Sequence, residues 1–316
     1  VGAVSTDTRT TTGNTSTTTQ ESIATTTLSQ KTNTVESLPK KDISLELTLP
    51  KLRSANVNLI CISNDKRIHS TSGSGTIITS TGVILTAAHV GQFFLLQETL
   101  PGSISCSVRT GSPAVKTYTA KPIYVSSSWI QKNKTVLTET APKGTGEHDF
   151  ALLAITGNVT GSGVYPYIPL TQSVPVAGAR VVVGGYGAEF LSSKRIQQSL
   201  FPSLDFSTIK ERLTFEKTTV DVISFGANAA AQEGSSGGGV ADSTGQLIGV
   251  ITTSSTNADF RARELRAITL GHIRRSFERD YGGSLDEYVR ASDTHALVEN
   301  YKTKASSLAK ILTGAL

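Results

Sequence analysis

Three short segments carry residue types at spacings that can do chemistry. In the first, the apolar run Gly82-Val83-Ile84-Leu85-Thr86 ends in Ala87-Ala88 and then His89. Two small residues let the backbone turn tightly, so the imidazole can face an open cleft. In the second, Glu147-His148-Asp149 opens the apolar run Phe150-Ala151-Leu152-Leu153, and Asp149 is the only aspartate between positions 66 and 204. In the third, Glu233-Gly234-Ser235-Ser236-Gly237-Gly238-Gly239-Val240 sets glycines on both sides of a serine. Such glycines permit an unusual turn and leave room for a bound acyl group. His89, Asp149 and Ser236 follow in that order, 60 and 87 residues apart. A serine hydroxyl becomes a useful nucleophile when a base removes its proton during attack. His89 suits that base, Asp149 would fix its tautomer, and the amides of Gly234 and Ser236 would meet a developing oxyanion. Each segment alone reads as an ordinary turn, strand end or solvated acid. Their joint occurrence is what points to a catalytic triad.

The elements that must position these residues are short strands. Val57, Leu59 and Cys61 keep a period of two, and further candidates are Thr76–Thr79, Val83–Thr86, Ile104–Val108, Phe150–Ile155, Ala179–Val183, Thr218–Ile223 and Leu247–Thr252. Gly, Pro and Ser clusters separate them, which suggests a sandwich or barrel rather than βαβ units. Tyr165-Pro166-Tyr167-Ile168-Pro169 is the best linker between two β lobes. After Ile268 the pattern turns helical, with Gly282-Gly283 as a stop and Ser284-Leu285-Asp286-Glu287 as a capping box. Leu297, Tyr301, Ala305, Leu308 and Leu312 then form one apolar helical stripe. Docking of that stripe on the chain's own barrels is the first expectation, a contact between subunits the second and a membrane surface the third.

The 316 residues are 37% hydrophobic and 17% charged, with net charge +5. That supplies a core but too little charge for a coiled coil. No dense Lys/Arg block marks a nucleic-acid partner. Arg261, Arg263, Arg266, Arg274, Arg275 and Arg279 cluster without aromatic residues to stack bases, so they read as a solvated face. No apolar run is long enough to span a membrane. His69, His148, His272 and His295 show no ligand spacing, and neither a metal nor a cofactor is expected. The first 34 residues contain fourteen Thr and four Ser and no aromatic residue, so 1–40 reads as a disordered stalk or linker. The chain opens on Val1, which reads as a processed or trimmed product. Cys61 and Cys106 both take the apolar parity of strand candidates. Two buried thiols or one disulfide would satisfy that pattern, and export favours the disulfide.

TAAH, HDFALL and GSSGGG resemble the trypsin/chymotrypsin-like serine peptidases. Gly73-Ser74-Gly75 through Val90 is closer to the bacterial DegP/HtrA-like exported peptidases, and Gly184-Gly185-Tyr186-Gly187 resembles a turn of the family's second barrel. The resemblance implies an all-β fold of two six-stranded antiparallel β-barrels over 41–275, about 50–168 and 169–275, with a C-terminal helical extension over 276–316. It implies a serine endopeptidase acting on proteins or peptides, secreted or otherwise extracytoplasmic (cell surface or periplasm), whose signal segment is absent from this chain. By the same resemblance Ala230 floors the pocket for the P1 side chain, favouring small or medium apolar residues, and Thr252, Thr253 and Ser254 pair with substrate.

The sequence departs from its relatives where Ser235 replaces the aspartate that receives a new N-terminal ammonium in digestive enzymes. Only about 40 residues follow the barrels, too short for a PDZ domain. The polar stretch Ala188–Phe215 reads as a surface insertion, with a lid as the lesser alternative. Two other functions compete. A catalytically silent module used for binding or structure would need neither triad nor glycine turn. An esterase more often carries GxSxG with the order Ser, Asp, His.

Overall fold

The computed structural model describes residues 43–138, 146–157, 164–228, 230–254, 264–290 and 293–316. The chain divides into one unit at 1–40 and another at 41–316. The expected stalk lies outside the described residues, as do Arg261 and Arg263, and the fold below is that of the second unit.

The first half runs α1 (Ile43–Ala55), β1 (Asn56–Ser63), β2 (Thr71–Ile77), β3 (Val83–Thr86), α2 (Ala88–Thr99), β4 (Ile104–Thr110), β5 (Lys116–Tyr118), β6 (Ala120–Val125), α3 (Ser127–Lys132) and β7 (Ala151–Ile155). The strands pair antiparallel in the order β5-β4-β1-β2-β3-β7-β6. Only Thr119 separates β5 from β6, yet they pair with opposite edges, β4 and β7. They are one strand turning a corner, so the seven-segment sheet closes as a barrel of six.

The second half repeats the device. It holds β8 (Arg180–Gly185), α4 (Ser193–Gln198), β9 (Ser203–Thr208), β10 (Glu211–Leu213), β11 (Val222–Ala227), β12 (Gly239–Ala241), β13 (Leu247–Ser254) and β14 (Glu264–Thr269). Their order is β10-β11-β14-β13-β12-β8-β9, and only Ile209 and Lys210 separate β9 from β10. The double β-barrel expected from the sequence is the fold observed.

Sequence periodicity places helices only after Ile268, whereas among the described residues four α-helices precede it. Val90 to Leu96 of α2 are all buried, so the helix has no polar face and gives no amphipathic signal. The strand expected at Thr76–Thr79 starts earlier, at Thr71, so that Gly73 and Gly75 lie within β2. Its glycines allow close approach: a Cβ at Gly73 would meet Val90 and one at Gly75 would meet Ile84.

Three helices close the chain: α5 (Leu270–Tyr281), α6 (Leu285–Arg290) and α7 (Thr294–Thr313). Gly282 ends α5 at φ 84°, and its N–H returns to Glu278 O at 2.8 Å. Half of the expected capping box forms, with Glu287 N donating to Ser284 Oγ at 3.4 Å. Leu297, Val298, Tyr301, Leu308 and Leu312 are buried, and α7 lies on β6 and α2 of its own first barrel. The Tyr301 hydroxyl both accepts from Val125 N at 2.8 Å and donates to Val125 O at 3.1 Å. The described arginines of the expected solvated face also form ion pairs: Arg266 with Glu264, Arg274 with Asp286, Arg275 with Asp221 and Arg279 with Glu216. Among the described residues no helix is long and apolar enough to cross a membrane.

Candidate active site

His89 sits in the first turn of α2. Helix N-termini leave their first N–H groups without intrahelical acceptors, and Asp149 fills that need. Its Oδ1 accepts from His89 N at 3.0 Å, and its Oδ2 accepts from His89 Nδ1 at 2.8 Å. One carboxylate therefore caps the helix and fixes the ring, leaving Nε2 to face outward. The carboxylate complements the helix dipole as well. Asp149 is 4% exposed, while the imidazole is 31% exposed. Burial works against the imidazolium, but the Asp149 charge and hydrogen bond outweigh it and raise the His89 pKa above its ordinary 6.5. A cavity of about 150 Å³ opens beside His89, lined also by His69, Thr71, Gln92, Phe93 and Leu137.

The turn that delivers Asp149 is itself unusual. His148 adopts φ 58°, a left-handed conformation uncommon outside glycine. Its Nδ1 lies 2.7 Å from Ser276 Oγ of α5, and its ring stacks on His272 at 5.8 Å. His272 in turn faces Asp221 Oδ1 at 3.4 Å and Phe215. Burial lowers the pKa of both histidines, against the opposing pull of Glu147 on His148 and of Asp221 on His272. Asp221 is buried, which disfavours its charge. Hydrogen bonds from Thr219, Phe215 N, Thr214 and Glu216 N prevail and hold its pKa below the ordinary carboxylate value.

Ser236 is positioned differently. Four successive carbonyls of its turn are each tied back: Glu233 O to Ala188 N at 2.7 Å, Gly234 O to Ser74 Oγ at 2.7 Å, Ser235 O to Gly238 N at 2.9 Å and Ser236 O to Ser74 N at 2.8 Å. The N–H groups of Gly234 and Ser236 have no acceptor among the described residues. Gly234 and Gly237 take φ 95° and 88°, and a Cβ on Gly237 would overlap Ser74 O and Thr86 Oγ1. That contact brings the Ser236 turn against the middle of β2 at Ser74 and the end of β3 at Thr86, three residues before His89. Ser236 Oγ makes no hydrogen bond among the described residues, to His89 or otherwise.

The remaining expected positions fall as follows. Ala230 is fully buried in the second barrel's apolar core, its N–H donating to Asn228 Oδ1 at 2.8 Å. Thr252 is buried on β13, and the backbones of Thr253 and Ser254 pair with Arg266 and Leu265 on β14. The side chains of Thr253 and Ser254 lie outside the described residues. Cys61 and Cys106, opposite each other in the β1–β4 register, are joined as a disulfide. Sequence reasoning missed Ser74 and Ala188 as supports of the nucleophile turn. The only sequence signal for Ser74 was its place between two strand glycines.

Two closed antiparallel barrels, with a His–Asp pair on one and a glycine-framed serine turn of the other set against it, define the double-barrel class. The chain belongs to the trypsin family, whose pattern matches residues 52–263. It is similar to the active form of the Rv3671c protease from M. tuberculosis, at 19% identity over 77% of this chain and 88% of that one, with TM-score 0.48. The inactive form of the Rv3671c protease matches at 19% identity, 77% and 97% coverage and TM-score 0.47. None of the curated proteins matches the chain.

Proposed function

We propose that this trypsin-family protein is a serine endopeptidase working through His89, Asp149 and Ser236. The reading rests on one observation above the others: the Ser236 turn ties back four carbonyls and leaves the N–H groups of Gly234 and Ser236 without an acceptor among the described residues. Beside them the neutral imidazole takes the Ser236 proton at Nε2 as Oγ bonds to the substrate carbonyl carbon. The carbonyl oxygen becomes an oxyanion between Gly234 N–H and Ser236 N–H. Nε2–H then protonates the departing amine as the C–N bond breaks, leaving an acyl-enzyme. Water then gives its proton to Nε2 as its oxygen bonds to the acyl carbon, and Nε2–H returns a proton to Ser236 Oγ as the C–Oγ bond breaks and the acid product leaves. Asp149 holds the Nδ1–H tautomer throughout and stabilises the imidazolium.

Asn228, Ala230 and Ala231 bring no carboxylate to the expected P1 site, which supports small or medium apolar P1 residues over Arg or Lys. The Cys61–Cys106 bond supports an oxidising, extracytoplasmic location. Labelling by a fluorophosphonate, together with casein hydrolysis, tests the function. Wild type should react and Ser236→Ala should not. A wild type that neither labels nor cleaves makes this a silent fold used for binding, and peptide-library cleavage dominated by basic P1 residues would overturn the specificity.

A further inference from the structure

Ser235, immediately before the nucleophile, is buried, and its Oγ has no partner among the described residues. It carries no charge that could anchor the turn, which is held by backbone bonds of its own and by bonds from Ser74 and Ala188 outside it. The Glu233–Gly234 peptide is the critical unit. A trans peptide points its C=O and N–H in opposite directions, so holding Glu233 O on Ala188 N fixes where Gly234 N–H points.

Ala188 begins the segment that the sequence presents as a surface insertion. That segment is docked on the first barrel. Arg109 of β4 is only 6% exposed, and its guanidinium reaches the last carbonyls of α4: Nη1 donates to Gln197 O at 2.7 Å and Nη2 to Ile196 O at 2.8 Å. Helix C-terminal carbonyls lack intrahelical donors and favour a cation. Nε and Nη2 also donate to Asn58 Oδ1, at 2.9 and 2.6 Å. Asn58, fully buried, is held by its Nδ2 on Gly73 O and Ser72 Oγ, both at 2.9 Å. Further bonds from Ala114 N to Leu200 O at 2.8 Å and from Tyr186 OH to Gly111 O at 2.9 Å secure the two ends. Between them Leu191, Ile196 and Leu200 pack with Tyr186 and Ala188. The position of α4 is thereby passed to Ala188.

Arg109 has no carboxylate partner among the described residues. A buried guanidinium held only by neutral oxygens carries a desolvation penalty that an apolar side chain of similar length would avoid. Such a side chain could not hold the end of α4. We infer that Arg109 is a positioning residue for catalysis: by docking α4 it keeps Ala188 N–H on Glu233 O and Gly234 N–H turned to the oxyanion.

This rests on the peptidase reading above, and the test separates the two. Wild type, Arg109→Met, Arg109→Lys and Tyr186→Phe are compared on a peptide p-nitroanilide with Ala at P1 and on the corresponding peptide aldehyde, active sites being counted with a fluorophosphonate. Arg109→Met should lower kcat about tenfold to a hundredfold with KM within about twofold, less than the ~10²–10³ of removing an oxyanion donor outright. The aldehyde, whose adduct oxygen mimics the oxyanion, should bind more weakly by a similar factor. The acid limb of the pH profile should stay in place, since His89 and Asp149 are untouched. Arg109→Lys should be intermediate, because an ammonium cannot reproduce the fork. A folded Arg109→Met with wild-type kcat and aldehyde affinity overturns the inference. If that variant does not fold, Tyr186→Phe removes one bond of the same dock and must lower kcat in the same direction; an unchanged kcat there is equally fatal. Wild type that labels at Ser236 beside a silent Arg109 series leaves the peptidase standing without this residue. Wild type that does not label removes both.

Discussion

The two halves of the site are assembled by different physics. In the first barrel a charged side chain meets an imidazole directly, and the same carboxylate caps the helix that carries the ring. In the second barrel the Ser236 hydroxyl has no hydrogen-bond partner among the described residues, while the backbone beneath it is tied at every carbonyl from Glu233 to Ser236. The proposed base, His89, is aligned by one side-chain partner. The proposed oxyanion donors are aligned through their own peptides, Gly234 N–H by the Ala188 latch on Glu233 O and Ser236 N–H by Gly238 N on Ser235 O, while Ser74 from the first barrel holds the carbonyls of Gly234 and Ser236. The first half should therefore fail through electrostatics with its fold intact, and the second through shape.

Asp149→Asn should produce the largest effect on activity. The amide still caps α2, since Asn is nearly as good a cap as Asp, so the melting temperature should change little. The Nδ1–H tautomer and the support for the imidazolium are lost, and kcat should fall about 10⁴-fold. The direction of the pH change follows from the cause of the shift. Asp149 raises the His89 pKa above 6.5, and activity needs the neutral ring, so the wild-type acid limb lies above that value. In Asp149→Asn the limb of residual kcat/KM should move to lower pH. A limb that stays fixed would assign the titration to another group.

Gly237→Ala should break the other half through shape. The position needs φ 88°, and an added methyl would overlap Ser74 O and Thr86 Oγ1. Backbone strain of about 1–3 kcal/mol adds to overpacking of about 1–3 kcal/mol. Thermal denaturation should show that loss, and phosphonate labelling should collapse as Ser236 is displaced. The His89–Asp149 bond should survive, visible as a low-field Nδ1–H proton resonance in the folded variant. Loss of that resonance would show the halves to be one unit.

The same contrast explains what the sequence revealed. His89, Asp149 and Ser236 each lie in a local pattern, an apolar strand end or a glycine-framed turn, that chemistry alone makes conspicuous. The barrels were legible from β3, β7, β8 and β13, whose apolar runs persist whatever they pair with. The corner strands β5–β6 and β9–β10 were not. Lys116-Thr117-Tyr118 and Glu211-Arg212-Leu213 are strands because their partners make them so. Helix α2 was hidden by burial on all sides. The latches were hidden for another reason: Ala188 acts through its backbone N–H, which any residue except proline offers, and Ser74 meets Gly234 across 160 residues of sequence.

The smallest effect expected is a difference in how stability follows pH. The His89–Asp149 pair and the neighbouring His148–His272 stack contain histidines shifted in opposite directions. His89 has a raised pKa, so its pairing with Asp149 contributes stability that is full below 6.5 and lost as pH rises through the native value. His148 and His272 have lowered pKa values. Below 6.5 the unfolded chain protonates them while the native fold resists, so their contribution falls with acidification until the native rings titrate. The groups facing His272 are Asp221 ahead of β11, Arg275 on its own helix, and His148 before β7. Asp221 stays ionised over this range because its pKa is held low. In wild type the two tendencies oppose each other. Melting temperatures measured from pH 7.5 downwards should therefore fall more steeply in His89→Ala than in wild type, about the ordinary histidine pKa of ~6.5 and below. They should fall less steeply in His272→Phe, which keeps a buried ring without the titration. Parallel curves for all three proteins would mean that the stacked pair exchanges its protons equally in both states, and the cluster would then be packing alone.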